Sequence, residues 1–176
     1  KHLSKYGFVT NHAGVVDLEV IGLLQKESFR QLKLGNYDWV AGGLGMSAVL
    51  FECEPTSAYD KFDNLLNNFS NVLRAHPNAD EKWFTTLDFD NDIKGLNLGL
   101  AHGLPSVIIY LCKVNLRFRQ VRHCEKIVRE LVAIVLKNRL FNCATSFPNW
   151  IVGKEQIGKP SRLGWCYGDL GVGFAL

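Results

Sequence analysis

Apolar residues recur along this chain at helical spacing, in stretches separated by turns that carry glycine. Val15, Leu18, Ile21, Leu24, Phe29 and Leu32 keep mostly to that spacing, and Gly35 then offers the positive-φ stop that ends a helix, so 13–34 is predicted as helical. After Pro55-Thr56-Ser57, the residues Phe62, Leu65, Leu66, Phe69, Val72 and Leu73 follow the i, i+3, i+4 rule as far as Pro77. Ser57 is the expected cap of that helix and Asp60 lies in its first turn. A third amphipathic stretch, 117–140, puts Phe118, Val121, Val128, Leu131, Val132 and Val135 on one face. Arg119, Arg122, Lys126 and Arg129 fall largely elsewhere and read as a solvated surface rather than a phosphate-binding stripe.

Three shorter segments, 42–51, 103–111 and 168–176, are opened by glycine and are apolar on nearly every side. A helix of that kind belongs inside a structure. Aligning Gly45, Gly103 and Gly171 spaces the segments 58 and 68 residues apart, which predicts a degenerate repeat of turn, buried helix, loop and amphipathic helix. Such helix pairs build either an open solenoid or a closed α/α toroid, and periodicity does not choose between them. Alternating β-branched runs between hairpin signals are lacking, so the predicted class is all-α. The region 78–97, rich in Asp and Asn, breaks the repeat and is predicted as an exposed loop of the kind that contacts ligands. Asp88, Asp90 and Asp92 mimic the opening of a calcium loop, but Ile93 stands where such a loop needs glycine and Gly99 where it needs glutamate, so calcium is rejected there.

Composition adds exclusions more than assignments. With 176 residues, 47% hydrophobic and 21% charged, the chain has the make-up of a single globular unit with a real core. A formal charge of +3 from 20 basic and 17 acidic residues gives no nucleic-acid signature. No apolar run approaches the ~18–20 residues of a spanning helix, and 107–112 is too short, so no transmembrane segment is expected. The chain opens at Lys1 and stops on Phe174-Ala175-Leu176, within an apolar helical pattern, which reads as a piece of a larger protein. Five cysteines without CxxC spacing indicate neither a disulfide framework nor a local zinc knuckle, and reduced thiols in a cytoplasmic protein fit best. Cys53, Cys112, Cys124 and Cys143 read as small buried hydrophobes.

Cys166 differs because of its surroundings, Arg162-Leu163-Gly164-Trp165-Cys166-Tyr167-Gly168-Asp169. Glycine-flexed backbone, two aromatic walls and a nearby fixed cation suit a thiolate that ligates a metal. His102, in Gly99-Leu100-Ala101-His102-Gly103, stands at the entrance to a predicted buried helix. Taken alone it is a hydrogen-bonded structural histidine or a proton carrier. Asp38, in Tyr37-Asp38-Trp39-Val40-Ala41-Gly42-Gly43, occupies the corresponding turn of the first repeat and, taken alone, reads as a helix N-cap.

Together, Ala101-His102-Gly103 and Trp165-Cys166-Tyr167-Gly168, in that order, resemble the lanthionine synthetase C-like family. The resemblance implies an α/α toroid, with 1–176 as a partial domain covering about half of the ring and truncated after the first zinc-ligand motif. It implies a zinc-dependent cyclase that adds peptide cysteine thiols to dehydrated Ser or Thr residues of a precursor peptide, in the company of a dehydratase and a peptide exporter. A non-catalytic thiol- or peptide-binding scaffold of the same family is the rival reading. Cys166 is implied as a zinc ligand, the others being an adjacent Cys-His pair later in the family's sequence; His123-Cys124 has the reverse order and does not replace it. His102 is implied as the acid/base group and Asp38 as a functional aspartate. Arg162, four residues before Cys166, is implied as a stabiliser of negative charge, and Tyr167 as a donor to an enolate or a wall of the pocket. A departure from the family is Leu104-Pro105-Ser106 after Gly103, where a small-residue run is commoner; proline is tolerated in a first helical turn. A toroidal glycosidase is a third class, disfavoured because its two carboxylates, Asp38 and Asp169, would leave Cys166 unexplained.

Overall fold

The computed structural model describes residues 18–53, 59–78, 81–88, 90, 92–118, 122–153 and 160–176. Its helices are α1 (Leu18–Lys33), α2 (Gly43–Cys53), α3 (Tyr59–Ala75), α4 (Leu104–Phe118), α5 (Arg122–Lys137) and α6 (Asp169–Ala175). Among the described residues they form two rows: α2, α4 and α6 lie side by side, as do α1, α3 and α5, with α1 packed on α2 and α4 on α5. The all-α class expected from the sequence fits this mostly helical fold, which adds a small antiparallel sheet. Predicted positions 13–17 and the expected cap Ser57 lie outside the described residues.

Each row follows from its sequence pattern. In α3, Phe62, Leu65, Leu66, Phe69 and Leu73 are buried while the opposite face is wet, and α5 buries Cys124, Ile127, Leu131 and Val135. Arg117 and Phe118, predicted to open the third amphipathic helix, instead close α4. The likeness of apolar spacing across 114–128 hid that break. Helix α1 ends in paired backbone bonds, Asn36 N–H to Gln31 O and Gly35 N–H to Leu32 O, both 3.0 Å, with Gly35 at φ +75° as its sequence position predicts.

Helix α4 is buried on almost every side over its first half, from Leu104 to Leu111, and Pro105 sits in its first turn where its missing N–H costs little. Buried serines tie the rows together: Ser28 donates to the Gly43 carbonyl at 2.7 Å, and the Ser47 and Tyr110 hydroxyls bond each other. Helix α6 departs from the prediction of an enclosed helix. Gly171 and Val172 are buried, but Leu170, Phe174 and Leu176 are about half exposed or more, because among the described residues α4 is its helical neighbour.

The expected exposed loop at 78–97 is instead largely folded into a small antiparallel sheet. Strand β1 (Thr85–Asp88) pairs with β2 (Ile93–Asn97), and β2 pairs with β3 (Trp150–Val152). Strands of three to five residues leave almost no alternation to read, and β3 arrives from more than fifty residues away. Trp83, just before β1, is fully buried. Its indole N–H donates to Glu130 Oε1 at 2.7 Å, its carbonyl accepts the Tyr37 hydroxyl, and its ring meets Tyr37 and Phe69 edge-on. The hairpin is thereby fastened to α3, to α5 and to the turn carrying Asp38.

Candidate functional site

Three turns, one before each of α2, α4 and α6, come together at one end of their row. Each is built alike. A Cβ on Gly45, Gly103 or Gly171 would run into the backbone carbonyl six residues earlier, that of Trp39, Asn97 and Trp165 respectively. Glycine is needed there because backbone passes against backbone. The shared six-residue offset makes the three turns structurally equivalent, as the repeat alignment predicts.

Onto this common turn each repeat loads a different side chain at a different place. The first carries Asp38, just before Trp39. Its Oδ1 accepts the N–H groups of Val40 and Ala41, both at 2.7 Å, so the aspartate stabilises its own turn. Its Oδ2 lies 2.9 Å from His102 Nδ1 in the second turn. The Asp38 bonds to Val40 and Ala41 close a turn ahead of α2, which begins at Gly43, rather than cap that helix, and its other oxygen faces His102. The Asp38 side chain is 18% exposed and that of His102 39%, so the pair is sheltered at one end and reachable at the other.

The third turn carries Cys166 and Tyr167. The Tyr167 ring stacks near His102 at a centroid distance of 6.4 Å and an interplanar angle of 23°, and Trp150 of β3 meets its edge at 6.2 Å. Gly99 permits this approach, since a Cβ there would stand 2.5 Å from the Tyr167 ring and 2.6 Å from the Cys166 carbonyl. Cys166 is exposed and lines a groove of about 330 Å3. Trp39 and Val40 reach that groove from the first turn, Leu100 and Ala101 from the second, and Trp165 beside Cys166 from the third. Helix α4 adds Ile109 and Ser106.

Arg162 is exposed at the start of the third turn, its backbone bridged to Gly168 and its side chain folded back over Gly164. Among the described residues its guanidinium makes no hydrogen bond with Asp38, His102, Cys166 or Tyr167. The structure thus brings four of the five expected site residues into one neighbourhood and leaves Arg162 at its rim. Asp169 is committed elsewhere: its carboxylate accepts Ser146 N–H at 2.7 Å and Phe147 N–H at 3.0 Å, which removes the second carboxylate a glycosidase would need.

Trp39, Asn97 and Gly99 are parts of the site that the sequence reading did not single out. Trp39 and Trp165 both stand six residues before a repeat glycine, a signal available in the sequence once the repeat is aligned. Asn97 Oδ1 accepts Gly99 N–H at 2.9 Å and shapes the second turn, as Asp38 shapes the first.

The thiols separate by environment. Cys124 is buried, as expected, and burial, with Cys112 and Asp63 adding to it, pushes its thiol up to about 12. Cys112 and Cys143, expected inside, are exposed: the second half of α4 turns the Cys112 face to solvent, and Cys143 follows α5 in a loop. At neutral pH a thiol-alkylating reagent is therefore expected to modify Cys143 and Cys166 in the folded protein and to spare Cys124 until unfolding. Labelling of Cys124 at the rate of the exposed thiols, read by peptide mass mapping, would contradict this placement.

A zinc ion takes about four ligands, three of them from protein in a catalytic site. Among the described residues no group of three or more His, Cys, Asp or Glu side chains gathers at one point. Cys166, an exposed soft donor in a glycine-bounded turn, suits one ligand position and does not make a site by itself.

Two rows of helices, with a groove at the turns that enter one of them and a carboxylate, an imidazole and a thiol on successive turns, define a helical-repeat protein with a candidate site at the helix entrances. The sequence model described as lanthionine synthetase C-like protein matches residues 18–176, and the chain belongs to that family. The family's fold is an α/α toroid, and it implies interaction with a peptide substrate. No curated protein and no solved structure matches the chain. No described helix is long and apolar enough to cross a membrane.

Proposed function

We propose that the chain furnishes about half of the ring of a lanthionine cyclase, which adds cysteine thiols of a precursor peptide to its dehydroalanine or dehydrobutyrine residues. The observation that carries this reading is the convergence of three equivalent turns on one groove, with Asp38 2.9 Å from His102 and Tyr167, the neighbour of Cys166, stacked near the same imidazole.

The reaction is an addition, with no oxidant and no leaving group. A thiolate sulfur bonds to the β-carbon of the dehydrated residue, the π pair moves to the α-carbon and its carbonyl as an enolate, and the α-carbon takes a proton. His102 supplies that proton. Asp38 accepts from Nδ1–H, fixing the tautomer and the ring orientation, and Nε2 is left as the atom that takes up and delivers protons. Tyr167 lies near the imidazole on the side of the third turn, and the Arg162 guanidinium, exposed at the rim, offers charge for the enolate oxygen. Zinc belongs to the proposal as cofactor, with Cys166 as one ligand and the family's later Cys-His pair as the others; when bound it would supply thiolate at neutral pH.

Residues 1–176 alone are expected to retain well under one equivalent of zinc after dialysis, since one thiolate is too few. In protein with the complete ligand set, Cys166→Ala is expected to lose both zinc and cyclisation. Stoichiometric zinc in the Cys166→Ala protein would remove that residue from the metal shell.

A further inference from the structure

The groove beside Cys166 is apolar beyond what thiol addition asks for. Trp39, Val40, Leu100, Ile109 and Trp165 supply its walls. Its polar liner besides the thiol, Ser106, is buried and donates its hydroxyl to the Gly103 carbonyl at 2.7 Å, so it has no proton to offer a ligand. At about 330 Å3 the space stands at the small end of the ~300–1,000 Å3 range of ligand pockets. It suits one or two side chains rather than a helix or a folded partner.

Its edges come from different repeats. Val40 is 65% exposed and Trp165 54%, large apolar surfaces held open on the first and third turns. The Trp165 ring packs on Phe174 at 5.1 Å and the Trp39 ring on Tyr110 at 5.9 Å, so both are braced from behind. Braced aromatic walls cost little side-chain entropy when a ligand arrives.

We infer that this groove is a specificity subsite for an apolar side chain adjacent in sequence to the reacting cysteine of the peptide. The inference rests on the cyclase reading for what Cys166 meets, and on the apolar walls for what lies next to it. Because Cys166 is itself in the wall, a peptide whose sulfur approaches that residue places its neighbouring side chain within the groove. A glycine neighbour leaves the walls wet, whereas leucine or phenylalanine displaces that water.

The test uses the full-length protein and two series of unreactive short peptides, X-Cys and Cys-X, with X as Gly, Leu or Phe, in equilibrium binding measurements. In at least one series Leu or Phe is expected to bind ~10-fold or more tighter than Gly, the discrimination that a hydrophobic pocket affords. Val40→Asp, at an exposed position outside the proposed chemistry, is expected to erase the preference, and Ile109→Ala to reduce it. Equal binding of all three peptides by the unaltered protein, or a preference untouched in both variants, overturns the subsite. So does a concentration-dependent dimer that vanishes in Val40→Asp, which would assign the groove to a second copy of the chain. Cyclisation of a dehydrated peptide, measured in parallel, separates the two ideas: a preference without cyclisation sinks the cyclase reading alone, and cyclisation without a preference sinks the subsite alone.

Discussion

His102→Asn is expected to slow cyclisation by ~10²- to 10⁴-fold, the range typical of lost general acid–base catalysis, while the protein keeps its zinc and nearly its melting temperature. Among the described residues the imidazole makes one side-chain hydrogen bond, to Asp38, and its side chain is 39% exposed, so little packing is lost with it. A hydrogen bond of this kind contributes about 0.5–1.5 kcal/mol net, or somewhat more where charge is involved. Asp38→Asn separates the two duties of the aspartate. An amide oxygen still accepts from Val40 and Ala41, so the turn survives, but the other atom becomes a donor facing Nδ1 and disfavours the tautomer with Nδ1–H. Stability close to that of the unaltered protein with a large loss of rate is the expected result. Full cyclisation by folded, zinc-loaded His102→Asn protein would remove the histidine from the mechanism, and collapse of its stability would make it structural.

Trp83→Ala is expected to cost ~3–5 kcal/mol, the usual range for deleting a buried large aromatic, and to lower the melting temperature by on the order of 10 °C. Trp83 is 1% exposed and joins the small sheet to three other parts of the fold. Its loss opens a cavity between Tyr37 and Phe69 and leaves Glu130 with Lys82 at 2.7 Å in place of two donors. Trp83→Phe retains most of the volume and gives up the indole donor, so it is expected to cost only about 1 kcal/mol. A melting temperature for Trp83→Ala within about 2 °C of the unaltered protein would show that the hairpin does not brace the turn of Asp38.

The helices were legible in the sequence because burial repeats: Phe62, Leu65, Leu66, Phe69 and Leu73 face the core at the spacing their positions predict. Gly45, Gly103 and Gly171 marked the repeat, and the common reason for them, a carbonyl six residues back, emerges only in three dimensions. The sheet was hidden because Thr85–Asp88, Ile93–Asn97 and Trp150–Val152 are too short for a period, and the third strand joins the second from more than fifty residues away. The exposure of Cys112 was hidden too, since α4 passes from all-round burial to a one-sided face without a break in its sequence. Asp38, His102, Tyr167 and Cys166 could be singled out by residue type and motif, but the bond between Asp38 and His102 spans 64 residues and no local pattern encodes it.

The most direct test is the fate of peptide thiols at constant mass. A precursor peptide carrying dehydrated residues and free cysteines is incubated with the full-length, zinc-loaded protein, then treated with a thiol-alkylating reagent and weighed. Addition changes no mass, so alkylatable thiols are expected to disappear while the peptide mass stays fixed, faster than without protein and not with Cys166→Ala. Thiols that remain fully alkylatable in the presence of folded, zinc-loaded protein would contradict it.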